Sequence, residues 1–285
     1  MAPVPDDDAA TARVGPSGLP HAAGPAAGSG PPAVDVVRWV SVGAALVSAV
    51  AILLAAAAGY AALLGVTLVL AFAVAWGWPP VAESRTPDAT SRVLAVSAVA
   101  IVLSAVRDDL EWLAAAVAFG ILLSFFAQLI RPPHREGLVL TLLASFGGLV
   151  VIASGTSAVV AANSSTGAAV AAVGGAAVAA ALVADLLVPG VKGAVQDERS
   201  VGVLLTAVAV AAGLGGGLIA GAFVDDVSAV EAALIGAVVG VVSWGLRRVL
   251  VLAPAMVTVR GQVGAAVASV LVVGAVLHTA ATLLT

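Results

Sequence analysis

Three polar side chains interrupt long apolar stretches of the sequence and are the first candidates for chemistry: His278, Asp185 and Gln128. A polar group at membrane depth is costly, so it usually has either a function or a bonding partner. An imidazole there can relay a proton or bind a ligand, and a carboxylate or amide near the membrane surface can line a polar pocket. The structural alternative is a neutral His278 bonded to a neighbouring helix, with Asp185 and Gln128 solvated or bonded at the surface.

Acidic residues form a second set of candidates, in short turns between apolar stretches. Two such turns on one side of a membrane could bind a divalent cation, because hard cations prefer oxygen ligands. Carboxylates are also typical of helix N-termini, where they interact favourably with the helix dipole. We favour capping and predict no metal site and no cofactor. The residues concerned are Asp108, Asp109, Glu111, Asp225, Asp226 and Glu231.

Sequence motifs for other chemistry are absent from the chain. It has no cysteine, which excludes a disulfide or thiolate site, and no GxxxxGK[ST], HExxH or GxSxG pattern. The formal net charge is −4 and no basic face is visible, so nucleic acid is not an expected partner. We therefore favour a protein without enzymatic activity and keep one enzyme as an alternative.

Composition indicates a membrane protein. Of 285 residues, 61% are hydrophobic and 10% are charged, against about 25% charged in an average soluble domain. The apolar segments have about 18 to 24 residues, close to the roughly 20 that a helix needs to cross a bilayer core. The sequence predicts an all-α, polytopic integral membrane protein whose first partner is the lipid bilayer.

About nine transmembrane helices are predicted, separated by charged, glycine- or proline-containing turns. The third is the shortest, since its uncharged part would cover only about 21 Å at 1.5 Å per residue. The main alternative is eight spans, with the third segment re-entrant or interfacial. The predicted spans are 37–58, 61–78, 91–106, 112–130, 138–154, 167–188, two within 201–246, and 263–284.

The positive charges predict the orientation of these spans. With the N-terminus in the cytoplasm, eleven of the 12 lysine and arginine residues lie in cytoplasmic segments and only Arg107 lies outside. Residues 1–35, rich in Pro, Ala, Gly and Asp, predict a disordered cytoplasmic tail, which leaves 36–285 as the transmembrane domain. Frequent arginine, alanine and valine are typical of a GC-rich bacterial genome, so we expect a multi-pass protein of the bacterial plasma membrane.

Glycines at four-residue spacing predict where two helices pack: Gly213, Gly217 and Gly221 on one span, Gly236 and Gly240 on the next. This spacing places them on one helix face, where the missing side chains let another backbone approach closely. In lipid such contacts hold helices together, because the hydrophobic effect does not act between helices. The same kind of face could serve a membrane-protein partner or a homo-oligomer.

The chain resembles uncharacterised, permease-like polytopic membrane proteins of actinobacteria in four segments. They are WGWPP at the end of span two, FAQLIRPPHREG after span four, ADLLVPG at the end of span six, and APAM after Arg247-Arg248. The resemblance covers about residues 36–285. It implies a multi-pass membrane protein and carries no specific activity with it.

A second resemblance, in layout, is to phosphatidate cytidylyltransferases, the CDP-diacylglycerol synthase family. The similar features are about nine spans, an acid before a cytoplasmic loop at Asp185, a glycine-rich helix, and later basic residues at Arg247 and Arg248. The SPKKT-like segment, the Gly-Asp of the penultimate helix and the final HGG…DR run of that family are missing. A shared scaffold would therefore imply a degenerate lipid enzyme.

Three hypotheses for function follow. The first is a non-catalytic membrane component or scaffold acting through helix packing or a partner, favoured by the glycine faces and the few buried ionisable groups. The second is a permease-like carrier of a small neutral or lipid-like substrate, which requires a midplane polar cavity reached by His278, Ser145 or Ser154. The third is the degenerate lipid enzyme, which requires a cytoplasmic pocket with more than one carboxylate around Asp185.

Overall fold

Ten α-helices build the part of the chain that the computed structural model describes, residues 34–107, 109–130, 137–192 and 198–285. Short 3₁₀ turns follow α3 and precede α9. The helices are α1 (Val34–Ala58), α2 (Tyr60–Val81), α3 (Pro87–Ser104), α4 (Leu110–Leu129), α5 (Leu138–Ala161), α6 (Ser165–Lys192), α7 (Glu198–Gly221), α8 (Ala229–Leu250), α9 (Val259–Leu271) and α10 (Gly274–Leu284).

Nine segments of the described chain are long and apolar enough to cross a membrane, which confirms the predicted all-α polytopic fold. The third segment, Pro87–Arg107, has 21 residues and spans by length and composition, against the eight-span alternative. It begins four residues earlier than predicted because Pro87 suits the first helical turn, where its missing N–H has no role. Asp88 in the same turn interacts favourably with the helix dipole.

The start of the helical region lies close to its predicted boundary. The predicted tail falls outside the described residues as far as residue 33, and α1 begins at Val34, two residues before the predicted transmembrane domain and three before the predicted first span. The break expected near Gly59 is present, since this single residue separates α1 from α2. Its φ of 108° is a conformation that favours glycine over other residues.

The second helix does not stop where its prolines predict. It continues through Pro79 and Pro80 to Val81. A proline provides no N–H, so Pro80 leaves the carbonyl of Trp76 without its ladder donor. The Nε of Arg260 in α9 donates to that oxygen at 2.7 Å, which compensates the loss and lets the helix extend.

The fifth helix is longer than predicted and ends at Ala161. Its last part, residues 155–161, lies beyond the predicted span 138–154. The hydroxyl of Thr156 donates to the carbonyl of Ile152, and the hydroxyl of Ser157 donates to the carbonyl of Ser154. Because these side chains bond within their own helix, they do not need water, and the helix continues.

Two groups of helices share the ninth span. One buried core is formed mainly by α2, α3, α4, α5 and α9. A second is formed mainly by α1, α6, α8, α9 and α10, and α7 packs on α6 and α8. A smaller core with residues of α1, α2, α5 and α6 connects the two groups. The ninth span, α9 and α10, therefore lies at the boundary between them.

Helices α7 and α8 contact each other through glycines. A Cβ built on Gly213 would lie 3.0 Å from the Cα of Gly240, and one built on Gly236 would lie 3.0 Å from the Cα of Gly217. A Cβ on Gly221 would lie 2.6 Å from a side-chain atom of α8, at the end of the same contact. The two backbones touch here, and no room is left for side chains.

We expect Gly217→Ala to lower the free energy of unfolding by about 1–3 kcal/mol, because the added methyl group would meet the carbonyl oxygen of Ala232. The matched control is Gly215→Ala in the same helix, where a Cβ would have no neighbour within 4 Å. The control should be neutral or stabilising by up to about 1 kcal/mol, since alanine is the better helix former. Thermal unfolding of the full chain in detergent measures both, and equal stability of the two variants would contradict the packing argument.

Candidate functional site

Asp185 forms an ion pair with Arg247 that joins α6 to α8. Nη2 and Nε of Arg247 donate to Oδ2 of Asp185 at 2.7 and 3.1 Å, and Nη1 donates to Oγ of Ser243 at 2.7 Å. The arginine side chain is 13% exposed and the aspartate 27%, so these charge-assisted bonds are largely removed from solvent. The sequence analysis placed Asp185 near the membrane surface but missed this partner. The signal was available, because both residues lie near helix ends on the same predicted side.

This ion pair bears on the enzyme hypothesis, which needs several carboxylates around Asp185. Within the described residues, no group of three or more His, Asp or Glu side chains could hold a metal ion. The carboxylate of Asp185 has Arg247 as its partner instead. Asp197, a further acid of the adjoining loop, lies outside the described residues.

His278 lies in α10 and bonds to α5. Its Nδ1 is 3.0 Å from the carbonyl oxygen of Ser157. A carbonyl oxygen only accepts, so this bond requires a proton on Nδ1. No carboxylate of the described residues pairs with the half-buried ring. The geometry is that of an imidazole joining two helices.

The three polar candidates do not form one site. Gln128 is half-buried at the penultimate position of α4. Asp185 lies near the end of α6, and His278 lies in the second half of the last span. With α4 and α6 running in one direction and α10 in the other, His278 is in the opposite membrane leaflet from Asp185 and Gln128. Any chemistry of one candidate therefore involves its own neighbours and not the other two candidates.

A second cluster of charge, at the start of α9, was not predicted as a site. Arg260 donates through Nη1 to Oδ1 of Asp88 at 2.9 Å and through Nη2 to Oγ of Ser91 at 2.8 Å. Its Nε donates to the backbone carbonyl of Trp76. Its guanidinium carbon also lies 5.8 Å from the centroid of the Trp76 indole ring. One side chain thus connects α2, α3 and α9. The sequence signal was Pro80, which leaves a carbonyl in need of a donor.

Two described acids of the predicted outer turns, Asp109 and Glu231, take part in helix capping. Asp109 accepts from the backbone N–H of Glu111 at 2.9 Å at the start of α4. Ser228 and Glu231 form a reciprocal capping box at the start of α8, with bonds of 2.8 and 3.4 Å. Asp108 lies outside the described residues.

The ninth span is interrupted without a proline. Helix α9 ends at Leu271 and α10 begins at Gly274, whereas the sequence predicted one continuous helix. Oγ of Ser154 in α5 donates to the carbonyl of Val272 at 2.7 Å and accepts from the N–H of Ala275 at 2.9 Å. In an unbroken helix that carbonyl would bond four residues ahead and that N–H would bond to Leu271. A side chain inserted into the ladder is a known cause of such breaks.

A small cavity lies beside this interruption, between the two helix groups. Its volume is about 20 Å³, roughly enough for one water molecule. It is lined by apolar side chains, glycines and Thr67 from α1, α2, α5, α6, α9 and α10. The carrier hypothesis required a polar cavity reached by His278, Ser145 or Ser154, and the lining contains none of the three. Ser145 instead donates to a carbonyl of its own helix at 3.0 Å.

Comparison of the chain with protein-family models, curated proteins and solved structures gave no match. Both resemblances drawn from the sequence therefore stay predictions. The class that the fold defines is an integral membrane protein with nine helices, among the described residues, that can cross a bilayer.

We expect Asp185→Ala to lower the free energy of unfolding by about 1–3 kcal/mol, because the guanidinium of Arg247 loses its charged acceptor. Asp185→Ala combined with Arg247→Ala should cost less than the sum of the two single changes, since the second removes the group that the first leaves unpaired. Thermal unfolding of the full chain measures this coupling. Arg248→Ala is the control, because Arg248 is exposed and lies 5.3 Å over the ring of Trp244. Strictly additive losses would contradict the ion pair's role.

Proposed function

We propose that the chain is a non-catalytic component of a cell membrane, in which polar side chains fix the helix bundle and do not form a reaction site. The observation that carries this proposal is the use of the ionisable groups within the described spans. Asp185 joins α6 to α8, Arg260 joins α2 and α3 to α9, and His278 joins α10 to α5. Each of the three side chains bonds to another helix.

A component of this kind works through its surface. Its first partner is the lipid bilayer, which suits the exposed apolar side chains along α1, α4 and α7, such as Leu54, Phe126 and Val203. Small-residue contacts of the α7–α8 type are the means by which such a bundle could join a second membrane protein or a copy of itself. The function proposed is therefore structural, in a membrane assembly.

The proposal includes an orientation and a location. The N-terminus lies in the cytoplasm and the C-terminus outside, in the plasma membrane of a bacterium. The distribution of lysine and arginine between alternate loops supports this orientation. The residue usage of the chain supports a bacterial origin.

One observation favours the carrier as a second candidate. Transporters of several folds place a discontinuous helix at the interface between two helix groups, near the bilayer midplane. The interrupted ninth span has this position, and the cavity beside it lies between the two groups. The apolar lining suits a small neutral or lipid-like substrate and not an ion. This candidate requires a second conformation with a larger cavity.

Single cysteines in this cysteine-free chain test the orientation. We expect cysteine at Ala89 or Leu252 to be protected from an impermeant thiol reagent added to intact cells. Cysteine at Asn163 or Asp226 should be labelled. All four positions are exposed in the structure. Labelling of the Leu252 position from outside would invert the topology and with it the proposed arrangement.

Two buried alanines of α6 distinguish the two candidate functions. Ala171 lines the cavity and Ala181 does not, although both are at most 1% exposed. For a fixed structural component, neither Ala171→Cys nor Ala181→Cys should react with a small membrane-permeant thiol reagent in native membranes. Reaction of Ala171→Cys alone would show that the cavity opens, and would favour the carrier over the structural role.

A further inference from the structure

We propose that Ser154 is a latch that holds the ninth span as two hinged helices, and that α10 swings about Val272–Val273 when the latch opens. The closed state is the one in the structure, with the Ser154 hydroxyl inserted between the carbonyl of Val272 and the N–H of Ala275. The open state is a continuous helical ladder through the same residues. The hinge is independent of whether the chain carries a substrate.

Every bonding group at the break has a second partner within reach. The N–H of Ala275 can return to the carbonyl of Leu271, and the carbonyl of Val272 can accept from the N–H four residues ahead. The hydroxyl of Ser154 can turn to the carbonyl of Val150, four residues earlier in its own helix. The closed state exchanges two ladder bonds, from Ala275 to Leu271 and from Val276 to Val272, for the two bonds to Ser154, and the open state reverses this exchange. Because the number of bonds is similar, the two arrangements can differ little in free energy.

The hydroxyls of α5 show that Ser154 is an exception. Ser145 and Thr156, in the same helix, each donate to the carbonyl four residues before them, at 3.0 and 2.9 Å. Ser154 reaches across to another helix because the backbones are close there. A Cβ built on Gly274 would lie 2.9 Å from the Cα of Gly155. The pair of glycines thus provides both the close approach and the pivot.

Space that the described side chains do not occupy borders α10 on two sides. The cavity of about 20 Å³ contacts Gly274 and Leu277. A groove of about 450 Å³ between α8 and α10 contacts Ala275, Thr279 and Leu283 and opens to the surrounding membrane. A densely packed helix could not shift without displacing its neighbours. This one has space to swing towards α8.

The bond between His278 and Ser157 is the second tie between α10 and α5. It lies one helical turn beyond the latch, on the same face of α10 as Ala275. Swinging of α10 about the pivot must lengthen or break it. The two ties define the segment that moves, from the break to the end of α10.

Spin labels on the full chain in lipid nanodiscs test the latch. Cysteines replace Val230 at the start of α8 and Leu283 near the end of α10, which are 70% and 80% exposed. We expect Ser154→Ala to shift the most probable distance between the labels by about 2 Å or more, the scale of helix shifts in switching proteins. Ser145→Ala is the matched control and should leave the distance unchanged. A distance that is the same in Ser154→Ala and in the unchanged chain would overturn the proposal.

Amide hydrogen exchange decides the question if Ser154→Ala does not fold. In the unaltered chain, the N–H of Ala275 must leave the Ser154 hydroxyl before it can bond to the carbonyl of Leu271, so it should exchange at least about tenfold faster than that of Ala268 in the middle of α9. Equal exchange rates at these two positions would show that span nine moves as one body, and the hinge would not exist.

Discussion

The need of every backbone N–H and C=O group for a partner inside the protein governs this structure. In a bilayer no water replaces a missing ladder bond, so a local defect must be repaired by another helix. The carbonyl of Trp76, which Pro80 deprives of its donor, receives Nε of Arg260. The carbonyl of Val272 receives the hydroxyl of Ser154. In both cases the repair of a local defect is also a tertiary contact, and it fixes how α9 and α10 sit against α2 and α5.

Close backbone approach is the second condition, and it explains why glycine is so frequent. Lipid competes equally for apolar side chains, so helices gain stability from close contact of their backbones. Gly213 and Gly236 each face the carbonyl oxygen of the other, the arrangement of weak Cα–H···O bonds. On its other face α7 presents Gly216 to α6, where a Cβ would lie 3.1 Å from the Cα of Ala177. The same short distances bring Ser154 within reach of the ninth span.

The sequence was sufficient for features that depend on one segment at a time. Length and apolar composition predicted nine spans, and the helix break at Gly59 followed from glycine's conformational freedom. The predicted helix ends were wrong where a residue distant in the sequence supplied a bond that a local rule does not include. Pro79 and Pro80 end an isolated helix, but α2 continues because Arg260, 180 positions beyond Pro80, donates to it. The spacing of residues in the sequence does not predict the contact between Arg260 and the carbonyl of Trp76.

The candidate site shows the same limit. Asp185 and His278 were predicted as candidates because a polar side chain in lipid costs free energy. That cost depends on each residue alone. Their partners, Arg247 and the carbonyl of Ser157, depend on which helices are neighbours. The sequence analysis did not distinguish Ser154 from Ser145, since both are serines of one predicted span. Because Gly274 lets the two backbones approach closely, Ser154 bonds to another helix. Ser145 bonds within its own helix.

The two repairs differ in one respect that determines where the bundle can move. Pro80 has no N–H, so the carbonyl of Trp76 has no donor at the usual ladder position to which it could return when the bond to Arg260 breaks. At the break in the ninth span every backbone group exists, and the Ser154 hydroxyl can be exchanged for ladder bonds. The first repair therefore anchors α9 to α2 and α3, and the second is reversible. The hinge proposed at Ser154 would therefore move α10, which the anchored half of the ninth span does not hold.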